Sequence, residues 1–320
     1  MRRFRCPSGR TQLFVGLVVA VSGATLSPRG ASAQAQLFEF VVAATDSTGA
    51  PVTDLKADEV VMSENGSAAK VIRIEPYSLP VRLTVAVDNG SDSREALAHY
   101  RSGLAGLVES LPSDVEVTLI TTAPQPRTVV RPTRDRVQIL RGVNSFAPED
   151  ERPRFTDALV EYSERLERDL RERKRVDYVP VLVMVSTTAS EASSVQVPAI
   201  EKALTFLVNR RARLFVSMTS TRSGDATAVA DLNTNRQALI AIPAAKSTGG
   251  RYEAIAISNR LATLLPEFGQ EIAALHRRHT AQFRVTVERP AGATGPLQNP
   301  RIEISRPGLT GSVSLDGFLP

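Results

Sequence analysis

The hydrophobic period of this sequence changes twice, and the two changes limit the folds open to it. Over residues 37–78 the period is two: Phe38, Phe40 and Val42 alternate with Glu39 and Val41. Stretches 60–63 and 69–74 then flank Glu64-Asn65-Gly66, and Asn-Gly between two such runs signals a hairpin. Pro80 closes this segment. From residue 81 short apolar strands alternate with helical stripes, the pattern of a parallel sheet with crossover helices. Beyond Thr280 period two returns, with Phe283, Val285 and Val287 against Arg284, Thr286 and Glu288, then Ile302 and Ile304, then Val313 and Leu315.

Within the middle segment, 82–88 (RLTVAVD) reads as a strand. Leu97, Leu104, Leu107, Val108 and Leu111 stripe a helix that Pro112 ends. A strand at 115–121 is followed by an extension at 128–131 and a short helix at 134–141. Phe155, Leu159, Tyr162, Leu166 and Leu170 stripe the next helix. Its charged run, 164–175, alternates sign at i,i+4 and reads as a solvated face. Residues 179–185 (VPVLVMV) form an unbroken apolar run, as in a central strand buried on both faces. A helix at 197–208, a strand at 212–218, a polar loop at 219–236, a helix at 237–246, Gly249-Gly250 and a helix at about 259–278 complete it. Pro266 is expected to kink or split that last helix.

The fold class expected is therefore α/β, a doubly wound and mostly parallel sheet over 81–279. It would be inserted in, or flanked by, a small β-sandwich built from 34–80 and 280–320. Each terminal segment alone is too short to bury a core, and there is no cysteine beyond residue 6 to staple it. A single Cys in 320 residues also excludes a disulfide scaffold and a Cys-based zinc module. With 5% aromatics and no Trp, a stacking platform for nucleic acid is not expected.

The net charge of +5 does not change that reading, because of where the charge lies. Residues 1–33 carry Arg2, Arg3, Arg5 and Arg10, a short apolar core at 13–21 and the small-residue site Ala31-Ser32-Ala33. This is the pattern of a secretory signal peptide, too short to span a bilayer. It holds five arginines and no acid, so 34 of the 39 basic residues remain to face 34 acidic ones. The expected mature chain is neutral, without transmembrane anchor or thiol, and is exported to the periplasm or the exterior.

Catalytic motifs are absent. No G-x-S-x-G elbow, P-loop or strand-borne G-x-G-x-x-G occurs. His99 is expected on a helix surface, and His276 and His279 as cations ending the last helix. Glu149-Asp150-Glu151 lies between prolines in what reads as an exposed loop. An envelope hydrolase using Asp88 or an acid near residue 150 is the alternative from another class, and a structural subunit of an envelope assembly is a third.

The segment D-S-T-G-A-P-V-T-D-L-K-A-D-E-V-V-M-S-E-N-G, residues 46–66, resembles the opening of bacterial VWFA-related domain proteins. Asp46, Gly49, Pro51, Val52, Leu55, Asp58, Glu64 and Gly66 fit that pattern, and Val60 stands at its aromatic position. The strand ending in Asp88, the S-T-G-G-R-Y segment at 247–252 and the closing β segment are also similar. The resemblance implies a von Willebrand factor A-like domain and an adhesion-type binding role. It further implies a divalent metal held by D-x-S-x-S, a Thr and an Asp. Here the first motif is Asp88-Asn89-Gly90-Ser91-Asp92-Ser93, with Gly90 and Asp92 at the serine positions. Asp92 and Glu95 have the spacing of a capping box. Either Thr156 or Pro153 falls on the Thr position, depending on the alignment. Ser186-Thr187-Thr188 stand where the last Asp is expected. With Asp88 the one secure carboxylate, and Thr156 a remnant, no cofactor is expected beyond weak Mg²⁺ or Ca²⁺ at Asp88. The expected partner is a protein or glycan, met at the sheet's C-terminal edge by loops 88–93, 150–157, 186–195 and 219–236. Ser91, Asp92, Ser93, Thr156, Ser186, Thr187, Thr188 and Ser190 supply the polar groups there, with Asp88 beneath.

Overall fold

The computed structural model describes residues 36–173, 177–221 and 235–319. The signal peptide read at 1–33, the cations Lys174 and Arg175, and most of the loop at 219–236 lie outside those residues. The chain from Gln36 onward forms one compact unit.

Its α/β part is a six-stranded sheet in the order β6-β5-β4-β7-β8-β9, built from β4 (Val81–Val87), β5 (Glu116–Thr121), β6 (Arg127–Thr133), β7 (Val179–Thr187), β8 (Arg213–Thr219) and β9 (Arg251–Ile255). All neighbouring pairs are parallel except β5–β6. The doubly wound expectation is met, with an antiparallel edge strand where the sequence suggested an extension. β7 is buried along its whole length, as a central strand must be. β9 was not foreseen, because a short edge strand with half-buried side chains carries little periodic signal.

Helices α1 (Leu97–Ser110), α2 (Arg136–Ser145) and α6 (Leu261–Thr280) cover one face of this sheet, and α3 (Phe155–Arg173), α4 (Val197–Asn209) and α5 (Arg236–Ser247) cover the other. The side chain of Asp135 caps α2 by accepting from Val137 N and Gln138 N. The charged face of α3 is laced by Glu161–Arg165, Glu167–Arg171 and Asp169–Arg173 pairs, all i,i+4. Pro266 does not split α6, which runs through it as one helix. The ring lies against Gly106 of α1, where a Cβ would meet it at 2.7 Å, and Gly103 and Gly269 allow equally close approach along the same seam.

The terminal segments share one core, as expected, but not as two stacked sheets. Strands β1 (Leu37–Thr45), β2 (Val60–Glu64), β3 (Ser67–Tyr77), β10 (Gln282–Glu288), β11 (Pro300–Ile304) and β12 (Thr310–Ser314) form a single antiparallel sheet in the order β11-β2-β3-β10-β1-β12. Its edge strands β11 and β12 meet, so the sheet curls almost to closure. A register shift between Thr286 and Val287 marks the irregularity that lets β10 and β3 bend. Phe40, Val42, Val60, Met62, Phe283, Val285 and Val287 fill the interior. Asn65 and Gly66, with φ of 48° and 79°, make the foreseen hairpin turn. Glu64 receives Arg289 through both carboxylate oxygens, and Arg306 reaches Glu59 and Asp54. Residues of the 46–66 segment thus clasp the two ends of the chain together.

His276 and His279 are corrections to the sequence reading. Both are buried rather than exposed helix-ending cations. His276 Nδ1 accepts from Val81 N at 3.2 Å and Nε2 faces Asp114 Oδ2 at 3.0 Å. His279 Nε2 accepts from Leu319 N at 3.2 Å and Nδ1 donates to Leu275 O at 2.9 Å. Burial lowers the His279 pKa to about 4, so the ring is neutral near pH 7. The two rings join α6 to the start of β4 and to the C-terminal tail.

Candidate functional site

Asp88 follows β4 at the C-terminal end of the parallel strands, and it is 1% exposed. Its Oδ1 accepts from Gly90 N at 2.9 Å. Its Oδ2 accepts from Ser186 Oγ at 3.2 Å, Thr187 N at 3.3 Å and Thr187 Oγ1 at 3.0 Å. The structure therefore joins Asp88 with Ser186 and Thr187, which lie at the end of the neighbouring strand β7. Burial raises the carboxyl pKa, and those four hydrogen bonds oppose the rise. Burial also lifts the Tyr100 phenol far up, and the Asp88 charge adds to it. The hydroxyls of Thr122 and Ser217, also buried at this end of the sheet, have no hydrogen-bond partner among the described residues, while the Tyr100 phenol is set against Thr219.

The loop after Asp88 is held by a strap at 147–153. Asn89 Nδ2 donates to Ala147 O at 3.0 Å, Glu149 N donates to Asn89 O at 2.7 Å, and Ser91 N donates to Glu151 O at 3.1 Å. A Cβ on Gly90 would lie 2.8 Å from both Glu151 O and Pro153 Cδ. The glycine at a serine position of the family pattern thus has a steric reason. Arg94 and Asp150 add an exposed ion pair at 2.6 Å.

Ser93 is fully buried and donates to Gly90 O at 2.8 Å. The capping box foreseen for Asp92 and Glu95 does not form. Residues 91–96 make a 3-10 turn with Gly90 at its cap, and among the described residues Asp92 accepts only from Ser91 Oγ, at 3.3 Å. Thr156 is also fully buried. Its backbone N–H donates to Glu191 Oε2 at 2.8 Å and to Ser193 Oγ at 3.1 Å, and its hydroxyl bonds Glu191 Oε1. Sequence reasoning passed over Glu191, whose side chain is 3% exposed. An acid in a Ser/Ala-rich loop carries no signal of the helix end it will cap. Thr188 accepts from Thr221 N at 3.2 Å. Ser93, Thr156, Ser186 and Thr187 are therefore interior groups with internal partners, a correction to their expected role as direct partner contacts. Ser91, Asp92, Thr188 and Ser190 remain at least partly open to solvent.

The donor set does not fit a resident divalent ion. Hard cations need several oxygen ligands with carboxylates among them. Asp88 brings one carboxylate, with both oxygens already accepting from the protein, and the described residues contain no group of three or more His, Cys, Asp or Glu able to hold a metal.

No family model and no curated protein matches this sequence. Solved structures do. The chain is similar to von Willebrand factor type A proteins. One, from Catenulispora acidiphila, is 9% identical over 87% of this chain and 72% of its own, with a TM-score of 0.47. The conserved hypothetical protein BatB of Bacteroides thetaiotaomicron is 15% identical over 60% of this chain and 98% of its own, at 0.43. The SpRpn10 VWA domain is 13% identical over 60% and 98%, also at 0.43. The likeness is one of fold. Among the described residues no helix is long and apolar enough to cross a membrane.

Proposed function

We propose that this is an exported, non-catalytic binding protein of adhesion type, whose adhesion site has lost its metal and recognises a protein or glycan directly. The observation that carries this reading is the saturation of Asp88 by donors of its own chain. Such a carboxylate is a structural knot between β4 and β7 rather than a ligand. Recognition then falls to the groups left on the rim, Ser91, Asp92, Thr188 and Ser190, with the strap beside them. Export rests on the pattern of residues 1–33 alone.

Two measurements test the reading. Thermal melts in EDTA and in excess Mg²⁺ or Ca²⁺ should superimpose, since a native-state site filled to five times its Kd would add about 1 kcal/mol. An upward shift that Asp88→Ala removes would restore a metal-dependent site. Capture of a partner from the parent envelope should be lost in an Asp92→Lys/Thr188→Arg double variant that melts like the wild type. Unchanged capture would place recognition on another surface.

A further inference from the structure

The α3 face of the α/β sheet is not covered evenly. α2 folds back onto the face that carries α1, where Ile139 and Val143 join its core. Among the described residues no helix lies beyond α3 over β5 and β6. What remains is a groove of about 720 Å³ between α3 and those strands, within the range of small-molecule sites.

Its floor is chemically unlike the rest of the same face. Under α3, α4 and α5, strands β7 and β8 present Leu182, Met184, Leu214 and Val216. In the groove β4 and β5 present Thr84 and Thr118, paired in register, and neither hydroxyl has a partner among the described residues. Tyr162 of α3 stands over them, 9% exposed, and its hydroxyl has no partner among the described residues either. Burial raises the Tyr162 pKa, so the phenol keeps its proton and can donate into the groove.

The charges lining the groove are four arginines and three acids. Three of those arginines are committed. Arg82 meets Glu116 at 3.2 Å and lies over the Tyr178 ring at 4.3 Å, Arg173 meets Asp169 at 2.6 Å, and Arg165 bonds Glu161. Arg131, on the edge strand β6, has no ion-pair or hydrogen-bond partner among the described residues. The groove thus offers two threonine hydroxyls at its floor, the Tyr162 hydroxyl above them and one guanidinium at its rim, none with a partner among the described residues.

We propose that this groove binds a small anionic polyol, a sugar acid or a sugar phosphate, whose hydroxyls bond Tyr162, Thr84 and Thr118 and whose anion pairs with Arg131. Sugar hydroxyls both donate and accept, which suits side-chain hydroxyls that do the same. A guanidinium matches carboxylate and phosphate by its fork of donors. The groove lies beside α3, away from the strand ends that carry Asp88, so it does not depend on the adhesion-site reading.

Titration calorimetry on the full chain tests this with D-glucuronate, a galacturonate trimer, glucose 6-phosphate and, as the neutral control, glucose. At least one anionic sugar should bind, with affinity about tenfold lower in Arg131→Ala and in Tyr162→Phe. Glucuronate or trimer binding identifies a carboxylate ligand, and glucose 6-phosphate a phosphate. Arg131 is exposed, so its variant should melt like the wild type; Thr84→Val replaces Tyr162→Phe if the latter fails to fold. No heat from any anionic sugar at about 10 mM, where a ~1 mM site would be mostly filled, overturns the proposal. So does binding that these variants leave unchanged, or glucose binding as tightly as the anions.

Discussion

His279 should make the stability of this protein depend on pH between about 6.5 and 4. Its folded pKa is about 4 against 6.5 for the free side chain, and burial is the main cause. In the folded state the ring has no room for a second proton, because Nε2 already accepts from Leu319 N. Between pH 6.5 and 4 the unfolded chain therefore binds a proton that the folded chain refuses. The His279 contribution is complete above pH 6.5 and is lost as pH falls towards 4. The difference in pKa corresponds to about 3 kcal/mol, a large share of a typical domain's stability. Urea unfolding at several pH values between 7.5 and 4.5, for wild type and His279→Gln, isolates this term, since carboxylates titrate alike in both. The wild-type curve should lose about 2–3 kcal/mol more than the variant's across the window. Parallel curves would refute the reasoning, and with it the buried neutral ring that ties the tail to α6.

Gly90→Ser, which restores the serine of the family pattern, should destabilise by ~1–3 kcal/mol, because its Cβ would press on Glu151 O and Pro153 while its backbone φ of −72° is unstrained. Faster proteolysis within 147–153 would show the strap lifting, and an unchanged melt would refute the contact. Asp88→Ala should cost ~1–3 kcal/mol by orphaning the N–H groups of Gly90 and Thr187, and Asp88→Asn should also destabilise by ~1–3 kcal/mol, because its amide keeps one acceptor oxygen and turns an NH2 donor towards one of those N–H groups. Urea titrations decide it, and an Asp88→Asn variant as stable as the wild type would contradict the account of Asp88 as an acceptor through both oxygens.

The sequence by itself determined the order of the elements and, β9 apart, their kind. A change of hydrophobic period is local information, and burial of one face or two is what writes it. The unbroken run 179–185 announced the doubly buried β7, and Asn65-Gly66 the hairpin that follows β2. Asp88 was legible as a carboxylate ending a strand. What it would touch was not, because Ser186 and Thr187 lie 98 and 99 residues away, and only the parallel pairing of β4 with β7 brings them there. The same holds for His276 and His279, which read as solvated cations until β4 and the C-terminal tail close over them. Pro266 announced a break in α6, and Gly106 of another helix receives it. Tertiary structure alone decided that the terminal strands curl into one sheet. It also decided that β6 turns back antiparallel, leaving Thr84, Thr118 and Tyr162 beside an open groove. Periodicity reports which side of an element faces inward; which partner waits there is set by contacts distant in sequence, whose hydrogen bonds and close approaches leave no periodic trace.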